Sequence, residues 1–190
     1  PCIVTVEGGS MRSVKGVASD PGDVAGPPEP MLPDLSAPYA ILIAGVGGTG
    51  VVTIGALIGM AAHLEGKGVS VLDMTGLAQK GGAVISHVRL ADRQDKLSAV
   101  RIATGEANAI IGCDILVVVG DEALAKTQTG FTHAIVNTGR AITGDFVRNP
   151  DDAFPLETME QQIRDAVGAD AAEFVDATRL ATALTGDAIL

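Results

Sequence analysis

Tyr39-Ala40-Ile41-Leu42-Ile43-Ala44-Gly45-Val46-Gly47-Gly48-Thr49-Gly50-Val51-Val52 is the stretch on which the fold turns. An apolar run of strand length ends in glycines, and a helical pattern starts at once. Val51, Ile54, Leu57, Ile58, Ala61 and Leu64 recur at three- and four-residue spacing until Gly66 and Gly68 end it. A strand that turns through glycines into a helix presents backbone N–H groups at the helix's positive end, where a phosphate is held with no side chain in the way. Gly45-x-Gly47-x-x-Gly50 has the spacing of a dinucleotide site, and Asp73, closing the next strand, falls where an acid holds a ribose hydroxyl. Two readings stay open here: NAD binding, and glycines that serve only close packing.

Ala40 to Ala62 carries no charge and has the length of a membrane span. Six glycines interrupt it, however, and a buried strand followed by a buried helix accounts for every residue.

Downstream, strand-length apolar runs alternate with helical patterns, as in a parallel sheet with crossover helices. Strands are expected near Ala40 to Ala44, Val69 to Leu72, Ile115 to Val119, His133 to Val136 and Glu173 to Val175, and late helices over Gln161 to Val167 and Thr178 to Thr185. Val84 to Leu90 alternates, with Ile85, His87 and Arg89 on one face, and reads as a half-exposed strand at a sheet edge. Asp121 and Glu122 follow the run Ile115 to Val119, either as functional acids at a strand's carboxyl end or in the first turn of a helix. The expected class is α/β, a Rossmann-like doubly wound, mostly parallel sheet with helices on both faces.

Seven of the nine prolines lie in the first 38 residues, so 19–38 reads as an extended linker, with 1–18 a tail of a preceding segment and 39–190 the folded domain, its truncation at the C-terminus left open. Pro1 is no translation start, which points to a piece of a longer polypeptide. A net charge of -10 argues against nucleic-acid partners. Two cysteines, Cys2 and Cys113, support neither a disulfide framework nor a self-contained metal site, and fit a cytoplasmic chain.

A second glycine turn follows: Thr75-Gly76-Leu77-Ala78-Gln79-Lys80-Gly81-Gly82-Ala83-Val84-Ile85-Ser86-His87-Val88-Arg89. Lys80 offers a cation and Gly81 and Gly82 let N–H groups approach the same anion. His87 and Arg89 share the strand face leading away from it. The doubled glycine of the first loop resembles the nucleotide loop of ubiquitin-activating-like enzymes, but their second acid, Asn and Arg are replaced by Thr75 and Gly76-Leu77-Ala78-Gln79.

Taken together, the two glycine blocks resemble the gamma-type domain of 2-oxoacid:ferredoxin oxidoreductases, most closely the indolepyruvate ferredoxin oxidoreductases in their fused, long-chain form. Pro1-Cys2-Ile3-Val4-Thr5-Val6-Glu7-Gly8 resembles the close of that form's cysteine-bearing segment, with Cys2 departing from the family pattern, which has its Cys before the Pro. The resemblance implies coenzyme A at this domain, held by Gly45, Gly47, Gly48, Thr49, Gly50, Gln79, Lys80, Gly81 and Gly82. It places thiamine diphosphate and iron-sulfur clusters in other parts of the parent enzyme, with ferredoxin or another electron acceptor as partner and a homo-oligomeric parent. It assigns this domain no catalytic residue or metal, and no turnover alone. The rivals are a stand-alone NAD-binding domain and a structural dimerisation module.

Overall fold

The computed structural model describes residues 29–76, 82–139 and 154–185. The elements in chain order are β1 (Tyr39–Val46), α1 (Val51–Leu64), β2 (Gly68–Thr75), β3 (Ala83–Ala91), β4 (Ala109–Gly112), α2 (Ile115–Val118), α3 (Asp121–Leu124), β5 (His133–Asn137), α4 (Leu156–Val167), β6 (Ala172–Val175) and α5 (Ala177–Thr185). Residues 29–177 form one compact unit, whereas α5 belongs from Thr178 onward to a second unit and is amphipathic by itself. No described helix is long and apolar enough to cross a membrane; the uncharged run Ala40 to Ala62 divides into β1 and α1 instead.

The six strands lie in the order β2-β3-β1-β4-β5-β6. β1, β4, β5 and β6 pair in parallel, while β3 runs antiparallel to both its neighbours, β1 and β2. The sheet is therefore a mixed, mostly parallel α/β sheet, as expected, with one reversed strand inserted where a simple doubly wound sheet would place β2 against β1.

Strand alternation sends β1 side chains to two cores. Ile41 and Ile43 pack with Val51, Ile54 and Ile58 of α1, whereas Ala40, Leu42 and Ala44 join Ile110, Ile115, Val118, Val136 and Ile163 of the elements around α2 and α4. Helices thus cover both faces of the sheet. α1 lies close on it because Gly55 and Gly59 face inward: a Cβ on Gly55 would sit 2.6 Å from Ser86 Oγ, and one on Gly59 3.0 Å from Val71 Cγ2.

Two expectations fail. Ile115 to Val118 is helix, not strand, and the strand in that region is Ala109–Gly112. The reason is local: Asp114 accepts a hydrogen bond from Leu116 N–H at 2.9 Å and caps a helical turn whose β-branched residues read as strand. Asp121 and Glu122 consequently stand in the first turn of α3, the helix-end reading, with Glu122 accepting from Arg101 at 2.9 Å. The second failure is β3, which is internal rather than an edge. Its Ser86 and His87 are fully buried.

Candidate functional site

The inserted strand β3 brings the first glycine block beside Gly82, the described end of the second. β1 ends opposite the start of β3, with Val46 paired to Ala83. Gly47 N–H donates to Gly82 O at 2.9 Å and ties one block to the other. Gln79, Lys80 and Gly81 lie outside the described residues.

The glycines of the first loop do different jobs. Gly45 is required by packing, since a Cβ there would lie 2.8 Å from Cys113 Cβ and 3.0 Å from Val51 Cγ2. Gly48 and Gly50 are required by conformation, with φ of 97° and 87° in the left-handed region. Among the described residues Gly47 is required by neither. Its φ is not left-handed, and the nearest described atom to an added Cβ is Gly82 O at 3.6 Å.

Thr49 holds the loop's shape, its N–H and hydroxyl both donating to Val46 O at 3.1 and 2.7 Å. Beyond it, α1 starts without a cap: Gly50 has no side chain to accept, and the first turn contains no acid. The first α1 hydrogen bond is Ile54 N–H to Gly50 O, which leaves the N–H groups of Val51, Val52 and Thr53 unmet by the helix. Gly48 and Gly50 N–H likewise find no acceptor among the described residues. Unmet donors at the positive end of a helix with no acid in its first turn are chemically suited to an anion.

The same carboxyl rim of the sheet carries residues not singled out from the sequence. Asn137, ending β5, donates from Nδ2 to Cys113 O at 3.2 Å and accepts at Oδ1 from Gly139 N–H and Ala177 N–H. Its signal was present in the chain, a polar residue closing the apolar run Ala134-Ile135-Val136. Burial, helped by Asp114, pushes the Cys113 thiol above its ordinary value, so it is held as a thiol under Gly45 rather than as a nucleophile.

Asp73 is exposed on β2, and β3 stands between it and β1. Two strand spacings put β2 about 10 Å from the first glycine strand, twice the separation in a dinucleotide domain whose second strand pairs with its first. Ile85, His87 and Arg89 do share one side of β3, but His87 is sealed in it. His87 Nδ1 accepts from Ile102 N–H at 3.2 Å, and burial, with Arg101 and Lys126 nearby, lowers its proton affinity. Arg89 donates to Arg101 O at 3.3 Å and stands 3.7 Å from Glu106. Both therefore serve the segment that covers β3 and do not extend the glycine site.

Residues 40–187, which hold both glycine blocks, fit the family model of pyruvate ferredoxin/flavodoxin oxidoreductase. The chain belongs to this family. Among curated relatives, the indolepyruvate oxidoreductase subunit IorB of Methanothermobacter thermautotrophicus is 27% identical over 131 residues, covering 69% of this chain and 63% of the relative. IorB of Archaeoglobus fulgidus is 36% identical over 104 residues, covering 54% and 47%. The chain thus spans less than two thirds of the length of these relatives. Of solved structures, subunit PORC of pyruvate oxidoreductase from Thermotoga maritima matches with TM-score 0.54 at 18% identity, over 80% of this chain and 70% of that one. The 2-oxoglutarate:ferredoxin oxidoreductase of Magnetococcus marinus, solved with 2-oxoglutarate, coenzyme A and succinyl-CoA, matches with TM-score 0.52 at 18% identity, over 77% of this chain and 21% of that one. At this identity the two structures establish a shared fold.

Proposed function

We propose that this chain is the gamma-type part of an indolepyruvate, or related 2-oxo acid, ferredoxin oxidoreductase, and that its paired glycine turns hold a coenzyme A phosphate and help close the active-site assembly. The observation that carries the reading is Gly47, a glycine that neither the packing of the described residues nor backbone conformation demands, in a loop whose N–H donors at Gly48 and Gly50 find no acceptor among those residues. A glycine free of structural duty, at the positive end of an uncapped helix, leaves room for a ligand to approach the backbone. Gly48 and Gly50 with the first turn of α1 would supply the donors, Thr49 would hold their orientation, and Lys80 beside Gly81 and Gly82 would supply the charge. Coenzyme A, when bound, contributes the thiol that receives the acyl group. Thiamine diphosphate, iron-sulfur clusters and the contact with ferredoxin or another acceptor would belong to other parts of a homo-oligomeric, cytoplasmic parent enzyme. Within the chain, 1–18 and 19–38 would be the tail and linker leading into the domain from residue 39.

The second reading, an NAD site, is weakened by the position of Asp73 two strands from the first glycine loop. The test uses the full-length enzyme. Lys80→Ala should weaken apparent coenzyme A affinity about ten- to a hundredfold, the loss of one charge-assisted phosphate contact of about 1.5–3 kcal/mol, while decarboxylation of the 2-oxo acid continues. Unchanged coenzyme A dependence would make the second turn structural, and micromolar NAD binding abolished by Asp73→Ala would establish the dehydrogenase-type alternative.

A further inference from the structure

We infer that a cleft at the amino rim of the sheet binds a free α-amino acid with a flat apolar side chain. β1, β4 and β5 all begin at this rim, whereas the first glycine block and Gly82 lie at the opposite end of the sheet. The cleft has a volume of about 310 Å³, in the range of small-molecule sites, and Pro38, Arg89, Glu106, Asn108, Gln128 and Phe131 line it.

Arg89 sets its charge. The side chain is 14% exposed, yet of its five N–H donors only Nη1 has an acceptor in hydrogen-bond range among the described residues, Arg101 O at 3.3 Å. Nε is sealed with no acceptor. Glu106 compensates the charge loosely: it comes no closer than 3.7 Å, beyond a hydrogen bond, and is 54% exposed. A guanidinium buried this far with so few acceptors favours a further anionic oxygen, which the cleft it lines can admit.

Neutral donors are held ready beside it. Asn108 N–H donates to Ala40 O at 2.9 Å and Asn108 Oδ1 accepts from Ala40 N–H at 2.8 Å, so the amide has one possible orientation and Nδ2 is left without an acceptor among the described residues. Gln128 and Phe131 lie on a closed turn. Gln128 O accepts from Phe131 and Thr132 N–H at 3.1 and 2.9 Å, and Gln128 N–H donates to Thr132 Oγ1 at 2.9 Å. Thr132 Oγ1 in turn donates to Ala107 O at 2.6 Å, which ties this turn to the residue after Glu106. The two amides thus stand on backbone that is already ordered, and binding has little further ordering to impose.

The arrangement of charge chooses the ligand. A guanidinium at depth and a carboxylate at the mouth match a molecule that carries carboxylate and ammonium on one carbon. A phosphate or a dicarboxylate would meet Glu106 as a like charge. Phe131, 44% exposed, and Pro38 give a flat side chain an apolar wall.

The test is titration of the nitrogen-labelled 190-residue chain with L-phenylalanine, read by NMR at the side-chain amides of Asn108 and Gln128. Both signals should shift, with a dissociation constant of about 1 mM or tighter. 3-Phenylpropionate, which lacks the ammonium, and phenethylamine, which lacks the carboxylate, should each bind about tenfold more weakly. Glu106→Gln should weaken L-phenylalanine about tenfold while 3-phenylpropionate binds no worse, a split that a merely structural role for Glu106 would not produce. Circular dichroism should be unchanged. Amide signals that stay still up to about 20 mM L-phenylalanine overturn the inference. So do equal affinities for L-phenylalanine and 3-phenylpropionate, or a folded Glu106→Gln variant that binds L-phenylalanine as tightly as the parent.

Discussion

The two halves of the sheet solve the same problem differently. In β4 to β6 the strands are short, parallel and closed by side chains: Asp114 caps α2, Asn137 ties the end of β5 to Cys113 and Ala177, and Arg164 of α4 lies 4.5 Å over the Phe174 ring. In β1 to β3 the same tasks fall to glycines, and α1 begins with no capping side chain at all. Side-chain closure satisfies the local donors. Glycine closure leaves them without an acceptor among the described residues at Gly48, Gly50 and the start of α1, and it is for this half that a ligand is proposed.

Substitutions that exchange the two styles of closure should expose the difference. The largest effect is expected at Gly45→Ala, whose Cβ would meet Cys113 Cβ at 2.8 Å and crowd Thr49 Oγ1. Overpacking against backbone-anchored neighbours should cost about 3 kcal/mol or more in urea unfolding. A loss below about 1 kcal/mol would mean that β1 and β4 are not packed as described.

Next in size is Asp114→Ala in the other half. Removing the carboxylate that accepts from Leu116 N–H should cost about 1–2 kcal/mol, measured the same way. The coenzyme A affinity of the full-length enzyme should not change, because this cap lies in the half that is closed by side chains.

A smaller effect concerns acid. His87 is buried and its proton affinity lies below the ordinary value of 6.5, chiefly through burial. The unfolded chain then binds a proton that the folded chain refuses, so stability present above 6.5 is lost as pH falls below it, by at most about 1.4 kcal/mol per unit. His87→Asn, which keeps an acceptor for Ile102 N–H, should flatten that slope in unfolding curves collected across the window. An equally steep slope in the variant would place the proton elsewhere.

The fold was legible wherever periodicity and burial agreed. β1, α1, β2, β5 and β6 lie where apolar runs and glycine stops put them. β4 and α2 were not, because Ile115-Leu116-Val117-Val118 is apolar, with Ile115, Val117 and Val118 β-branched, and one carboxylate at Asp114 decides for helix. The burial of β3 was hidden for a different reason. His87, on one face with Arg89, read as half-exposed, yet it is covered by the segment carrying Ile102, and Ser86 on the opposite face is covered by the close approach of Gly55. At the site, the glycine spacing named the loop but not the division of labour within it. Only the surroundings of each Cα separate Gly45, which packs, from Gly48 and Gly50, which turn, and from Gly47, which does neither.

Gly47→Ala in the full-length enzyme is therefore the most direct test. With the nearest described neighbour of the new Cβ at 3.6 Å, thermal and urea stability should stay within about 0.5 kcal/mol of the parent. Apparent coenzyme A affinity, from titration of the acyl-transfer step, should fall about tenfold while decarboxylation is unaffected. A variant that keeps both its stability and its coenzyme A affinity would contradict the account, because the space above Gly47 would then have no occupant.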